Sequence, residues 1–238
     1  MATFILIHGA WHGGWCWERV APLLEAAGHR VLAPDLPGMG TDRRVLGDDP
    51  LGEWAEFVAG LAEAAEAPVI LVGHSRGGLV ISEAAERVPG SVARLVYLTA
   101  FLLDAGQSLA QVAERHPEVG PAPAIRPADD PTRLGIDREQ AIPIFYNLTS
   151  GEDARAAADR LVAEPIAALT TPIRISAERF GRVPRAYIEA ADDRAISLDM
   201  QREMQARLPC APVITLECDH SPFYSAPEAL AAALLTLA

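Results

Sequence analysis

Lysine is missing from this chain, and all 20 of its basic residues are arginine. Schiff-base catalysis, a lysine nucleophile and a phosphate-binding P-loop each need that amine, so all three are excluded. Cysteine is scarce as well, with only Cys16, Cys210 and Cys218 among 238 residues. An odd number with no C-x-x-C spacing argues against a disulfide framework or a zinc site and fits a reducing cytoplasm. Positive charge is short, since 32 acidic side chains leave a net charge of −12. That balance argues against nucleic acid or an anionic membrane surface as a partner. No apolar run approaches the ~20 residues that span a bilayer. The opening run at residues 2–7 is too short for a signal peptide and has no basic flank. The expectation is a cytoplasmic protein acting on a small molecule, with no membrane or nucleic-acid partner; a homodimer stays open.

What is present is apolar residue in plenty, half of the chain, which is enough for the full core of one large α/β domain. Residues 3–8 read as a buried strand and run into His8-Gly9-Ala10-Trp11-His12-Gly13-Gly14-Trp15. A helix is expected over 15–27, ended by Gly28, then a strand over 30–34 and an amphipathic helix over 51–65. Val69-Ile70-Leu71-Val72 reads as a strand buried on both faces, with a helix following through Arg87 and another strand over 92–100. Such alternation argues for a parallel sheet with helices on both faces. It stops at residues 102–182, where proline and glycine are frequent and the apolar runs, such as 154–168, have helical spacing. That segment is expected to be a helical cap inserted over the site, within a single domain spanning 1–238. Alternation resumes with strands at 185–190 and 212–217 and helices at 198–208 and 226–237.

Gly73-His74-Ser75-Arg76-Gly77 lies between the buried strand and its helix, the context in which G-x-S-x-G forms a sharp turn. Close packing there leaves no room for a Cβ at the flanking positions. The turn lifts the Ser75 hydroxyl clear of the sheet at a helix N-terminus. A serine needs a base to become a nucleophile, and the base needs an orienting acid. In turns of this kind the order along the chain is serine, acid, histidine, each after a strand. Of six histidines, only His220 sits just past a late strand. Asp192 and Asp193 both close the 185–190 strand, and Asp104 follows the strand after the Ser75 helix. All three are therefore candidate acids, while Asp35 precedes the serine and reads as structural.

The backbone amides of Arg76 and Ala10 are the expected oxyanion donors, one following the nucleophile and one in the glycine-rich loop. The Arg76 side chain, a charge beside the nucleophile, is expected to pair with a carboxylate of the insertion. Trp11 and Trp15 read first as packing, and Cys16 and Cys218 as inert core thiols. Phe145, Tyr146 and Leu148 are candidate walls of an apolar pocket, with Trp11, Phe101 and Leu102 near its mouth. No cluster has metal-ligand spacing, and neither a metal nor another cofactor is expected.

Several segments together carry a resemblance. Ile5-Leu6-Ile7-His8-Gly9-Ala10-Trp11-His12-Gly13-Gly14-Trp15 and Pro22-Leu23-Leu24-Glu25-Ala26-Ala27-Gly28-His29 resemble the opening of one branch of the α/β-hydrolases. It holds plant methylesterases, hydroxynitrile lyases and small bacterial esterases. Glu178-Arg179-Phe180-Gly181, Tyr187-Ile188 and Asp219-His220 resemble later segments of the same branch. In Asp192-Asp193-Arg194-Ala195-Ile196 the second aspartate falls where that family carries its triad acid, which implies Asp193. The resemblance implies the α/β-hydrolase fold and a cofactor-free esterase with the triad Ser75, His220 and Asp193. Lyases of the branch resemble one another in placing a lysine after the catalytic histidine and a threonine in the opening loop. Here Ser221 follows His220 and the loop keeps Gly9, which favours ester hydrolysis. A hydrolase-fold ligand receptor with little turnover is the remaining alternative. An aspartate nucleophile, as in dehalogenases and epoxide hydrolases, is excluded by Ser75.

Overall fold

The computed structural model describes residues 1–117 and 119–238. In chain order the elements are β1 (Thr3–Ile7), α1 (Ala21–Ala26), β2 (Arg30–Leu32), α2 (Pro50–Glu63), β3 (Val69–His74), α3 (Gly77–Arg87) and β4 (Val92–Leu98). Next come α4 (Leu109–Ala113), β5 (Ile125–Pro127), β6 (Arg133–Ile136), α5 (Arg138–Phe145), α6 (Gly151–Asp159), β7 (Glu164–Pro165) and α7 (Ile166–Thr170). The chain closes with β8 (Arg185–Ala190), α8 (Leu198–Arg207), β9 (Val213–Leu216), α9 (Pro222–Ser225) and α10 (Pro227–Leu235).

Six strands form one sheet in the order β2-β1-β3-β4-β8-β9, and every neighbouring pair runs parallel. Both faces are covered, which is why its central strands show no polar alternation. Along β1, Ile5 and Ile7 enter the core shared with α2 and α3. Phe4 and Leu6 enter the opposite core, shared with α1 and α10. The sheet is the expected one, with strand ends moved by one or two residues.

Two expected helices are broken. Residues 15–27 form a 3-10 turn over Gly14–Trp17 and then α1, because the ring of Pro22 would meet the carbonyl of Glu18 in a continuous helix. The run 154–168 is likewise not one helix. It holds the end of α6, then Glu164–Pro165 paired with β6, then α7. Between β4 and β8 the chain is also not wholly helical, since β5, β6 and β7 form a small antiparallel sheet. Strands of two to four residues are too short to show a period of two.

Candidate active site

The site lies where β1, β3, β4, β8 and β9 end, the edge at which parallel sheets open a crevice. Three non-glycine residues have positive φ: Trp11 at 59°, Ser75 at 54° and Thr99 at 36°. They follow β1, β3 and β4, so the backbone strain of the described residues is gathered around one spot. At the Ser75 turn the packing is tight. A Cβ on Gly73 would lie 2.6 Å from the Gly77 carbonyl oxygen, and one on Gly78 2.3 Å from that of Phe101.

Ser75 and His220 are 8% and 2% exposed and line the same cavity. His220 Nδ1 lies 2.6 Å from Asp193 Oδ2. A carboxylate accepts, so the neutral ring carries its proton on Nδ1, and Nε2 keeps the lone pair that a general base needs. Asp193 is held on every side. Its Oδ1 accepts the amides of Ala195 at 2.6 Å and Ile196 at 2.8 Å, and its Oδ2 also accepts the Thr99 hydroxyl. Asp192, one residue earlier, faces solvent, and Asp104 pairs with Arg207 at 3.6 Å. Among the described residues, it is Asp193 and neither of these that bonds the His220 ring. Asp35 binds the Gly14 amide at 2.7 Å and the Thr41 hydroxyl at 2.7 Å, a loop brace.

Three more histidines support the site from below. His74 Nε2 donates to the His220 carbonyl at 2.7 Å, and the two rings stand 4.7 Å apart. His12 Nδ1 donates to the Ala10 carbonyl at 2.7 Å, so its Nε2 accepts the Tyr146 hydroxyl at 2.8 Å. His8 Nδ1 donates to the Gly9 carbonyl at 2.9 Å, and its Nε2 accepts the Leu36 amide. Burial first, and then the Arg76 charge, hold His8 at about 3. Burial likewise holds His12 at about 3, and burial followed by the neighbouring His220 pushes His74 well below the ordinary value. All three are neutral braces. Asp219 is a further brace. It accepts the Ser221 amide and the Ser225 hydroxyl on one oxygen, and the Leu148 amide and the Thr149 hydroxyl on the other.

Among the described residues, neither the Ala10 nor the Arg76 amide donates to a protein acceptor, and both residues border the cavity. The next amide, that of Trp11, is taken by Glu164 Oε2 at 3.0 Å. The Arg76 side chain is wholly buried, with Nε on Glu164 Oε1 at 2.9 Å and Nη2 on the Gly9 carbonyl at 3.1 Å. Its guanidinium also lies 4.1 Å from the Trp54 ring centroid. Desolvation pushes the Glu164 carboxyl up and the Arg76 guanidinium down, against their mutual attraction.

The cavity has a volume of about 420 Å³, and its walls include Phe101, Leu109, Leu134, Phe145, Ile166, Leu169 and Met200. Trp11 joins them as well as packing, its indole N–H donating to the Leu134 carbonyl at 3.0 Å. Three sequence candidates lie elsewhere. Tyr146 turns to His12, Leu102 sits in the core beside Met204, and Leu148 is 52% exposed. Cys16 and Cys218 are buried free thiols whose pKa burial raises. No three His, Cys, Asp or Glu of the described residues come together to hold a metal ion, and no described helix is long and apolar enough to cross a membrane.

Thr99 and Glu164 were not singled out in the sequence. Thr99 meets Asp193 across 94 residues, which no local spacing reveals. Glu164 had a signal, since it is a lone acid between Leu161-Val162-Ala163 and Pro165-Ile166, and buried acids need partners.

The family model described as the alpha/beta hydrolase family matches residues 4–233. A pyrethroid hydrolase from Sphingobium wenxiniae is 37% identical, covering 100% of this chain and 88% of that protein. Methylesterase 7 from Arabidopsis thaliana is 34% identical, covering 99% and 95%. Among solved structures, a pyrethroid hydrolase from Sphingobium faniae superposes with a TM-score of 0.85 at 35% identity, over 99% of this chain and 96% of that one.

Proposed function

The chain belongs to the alpha/beta hydrolase family, and from that premise we propose that it is a serine hydrolase that cleaves small, largely apolar carboxylic esters through an acyl-enzyme on Ser75. The observation that carries this reading is the His220–Asp193 contact of 2.6 Å, set beside a serine at φ 54° on the same apolar cavity. His220 Nε2 takes the Ser75 proton as Oγ attacks the ester carbonyl, and Asp193 stabilises the imidazolium. The Ala10 and Arg76 amides hold the oxyanion, His220 returns the proton to the leaving alcohol, and water then clears the acyl group by the same route. No metal or cofactor enters these steps.

The segment over 102–182 serves as a cap, because Phe145, Ile166 and Leu169 from it wall the cavity. A volume of about 420 Å³ falls within the ~300–1,000 Å³ of sites for drug-sized ligands. The methylesterase and pyrethroid hydrolase relatives support ester hydrolysis, and the apolar cavity walls support apolar groups beside the ester. Three free cysteines fit a cytoplasmic location. Ester hydrolysis is favoured over cyanohydrin cleavage by Gly9, where any Cβ would lie 2.8 Å from that of Ser75.

Hydrolysis of p-nitrophenyl esters by wild type, Ser75→Ala and asparagine variants of Asp193, Asp192 and Asp104 tests the reading. Loss of orders of magnitude in Ser75→Ala and Asp193→Asn, with the other two near wild type, is expected. An active Asp193→Asn beside an inactive Asp192→Asn or Asp104→Asn would overturn the acid assignment. Rapid Ser75-dependent cyanide release from mandelonitrile without ester turnover would overturn the reaction.

A further inference from the structure

The Gly9–Ala10 peptide has two ends, and each has its own task. Its N–H is the proposed oxyanion donor: among the described residues it has no protein acceptor, and Ala10 borders the cavity. Its carbonyl is gripped twice, by His8 Nδ1 at 2.9 Å and by Arg76 Nη2 at 3.1 Å. The bond is trans, so the planar unit points its N–H directly away from that grip. Fixing the carbonyl therefore fixes the direction of the N–H. A cationic donor on the carbonyl also polarises the peptide and strengthens the hydrogen bond its N–H can give.

Arg76 is held for this by Glu164, whose other oxygen takes the Trp11 amide. Trp11 itself sits at φ 59°, and its carbonyl accepts the Val162 amide at 2.8 Å. The loop thus has the amide next to Ala10 tied down, while the Ala10 N–H, at the cavity wall, has no protein acceptor among the described residues. A buried ion pair contributes little net stability by itself, so a charge pair at this place calls for another reason.

We propose that the Arg76 guanidinium, set in place by Glu164, is a positioning residue that aims and polarises the Gly9–Ala10 peptide for the oxyanion. Arg76 then serves both donors, one through its own amide and the other through its side chain. The proposal rests on the esterase reading above and goes beyond it. A substitution at residue 76 keeps that residue's own N–H, so the side-chain role can be removed alone.

The test compares wild type, Ser75→Ala, Arg76→Met and the double variant Arg76→Met/Glu164→Gln. Removing one partner leaves a buried charge and can prevent folding, whereas the double variant removes both charges together and keeps an acceptor for the Trp11 amide. Three quantities are read: the melting temperature, kcat and KM for p-nitrophenyl butyrate, and inhibition by two ketones of equal carbon skeleton. The trifluoromethyl ketone adds Ser75 Oγ to its carbonyl carbon and forms an oxyanion, the Ser75 proton passing to His220. The plain methyl ketone stays trigonal.

For the double variant we expect near-wild-type melting and kcat lower by about tenfold or more, a part of the ~10²–10³ that losing an oxyanion donor costs. KM should stay within about twofold. Affinity for the trifluoromethyl ketone should fall by the same factor as kcat, while that for the methyl ketone holds. A folded double variant with wild-type kcat would overturn the proposal and leave the esterase reading standing. So would equal losses for both ketones, which would mark a general disturbance of the cavity. No ester turnover by wild type, or equal turnover by Ser75→Ala, would remove both together.

Discussion

Replacing Gly9 with alanine puts one methyl group where the account leaves no space. Its Cβ would lie 2.8 Å from Ser75 Cβ and 2.9 Å from His74 Nδ1. Ordinary carbon contacts begin at about 3.5 Å, so something must move by roughly 0.7 Å or more. Neither neighbour yields easily. Ser75 is pinned through its amide to Leu98 and through its carbonyl to Gly78 and Phe101. His74 is held by the His220 carbonyl and by the Phe223 ring at 4.9 Å. Overpacking of this kind costs about 1–3 kcal/mol, which at this chain length lowers melting by roughly 2–4 °C per kcal/mol. The larger effect falls on catalysis, because the shift separates the nucleophile from the Ala10 amide. A misplacement near 1 Å costs on the order of 10²-fold. The assay is kcat for p-nitrophenyl butyrate beside a thermal melt, with Gly90→Ala as control, since a Cβ there meets nothing within 4 Å. Gly9→Ala with kcat within twofold of wild type and unchanged melting would refute the reasoning.

Two further outcomes are expected. His8 and His12 are held at about 3 by burial, against an ordinary 6.5, so the unfolded chain binds more protons as the pH falls between those values. The stability each ring contributes is present above about pH 6.5 and is lost on acidification, about 2 kcal/mol per ring by pH 5. Urea midpoints at pH 7 and pH 5 read this loss, and equal midpoints would contradict it. Phe145→Ala should shift acyl preference towards longer chains, because the ring borders the cavity with its centroid 5.4 Å from that of His220. A large fall in melting with unchanged chain-length preference would instead make Phe145 a packing residue.

What could be read from the chain follows from how locally each feature is encoded. The Ser75 turn is written in five consecutive residues, and the strands beneath it in unbroken apolar runs, so both were legible together with the parallel sheet. The acid was legible only as a choice among Asp192, Asp193 and Asp104. Asp192 and Asp193 differ by one step along the chain, and only the resemblance separated them; in the fold one is exposed and the other buried. Contacts made across the fold were not legible. Thr99 reaches Asp193 and Glu164 reaches Arg76 over 88 residues, distances at which spacing carries no information. The short strands β5, β6 and β7 escaped because pairing, not period, defines them. The break before α1 was there to be read in Pro22. Tyr146, Leu148 and Leu102 show the limit of apolar character as a guide, for it does not tell cavity wall from core or surface.

The central claim is that Ser75 becomes acylated, and intact-protein and peptide mass spectrometry tests it most directly. Wild type is mixed with excess p-nitrophenyl butyrate and quenched in acid within milliseconds, then digested. A butyryl group is expected on the peptide that carries Ser75, appearing with a burst of p-nitrophenol and absent from Ser75→Ala. Ester turnover with no adduct in repeated rapid quenches and no burst, or an adduct on another residue that persists in Ser75→Ala, would contradict it.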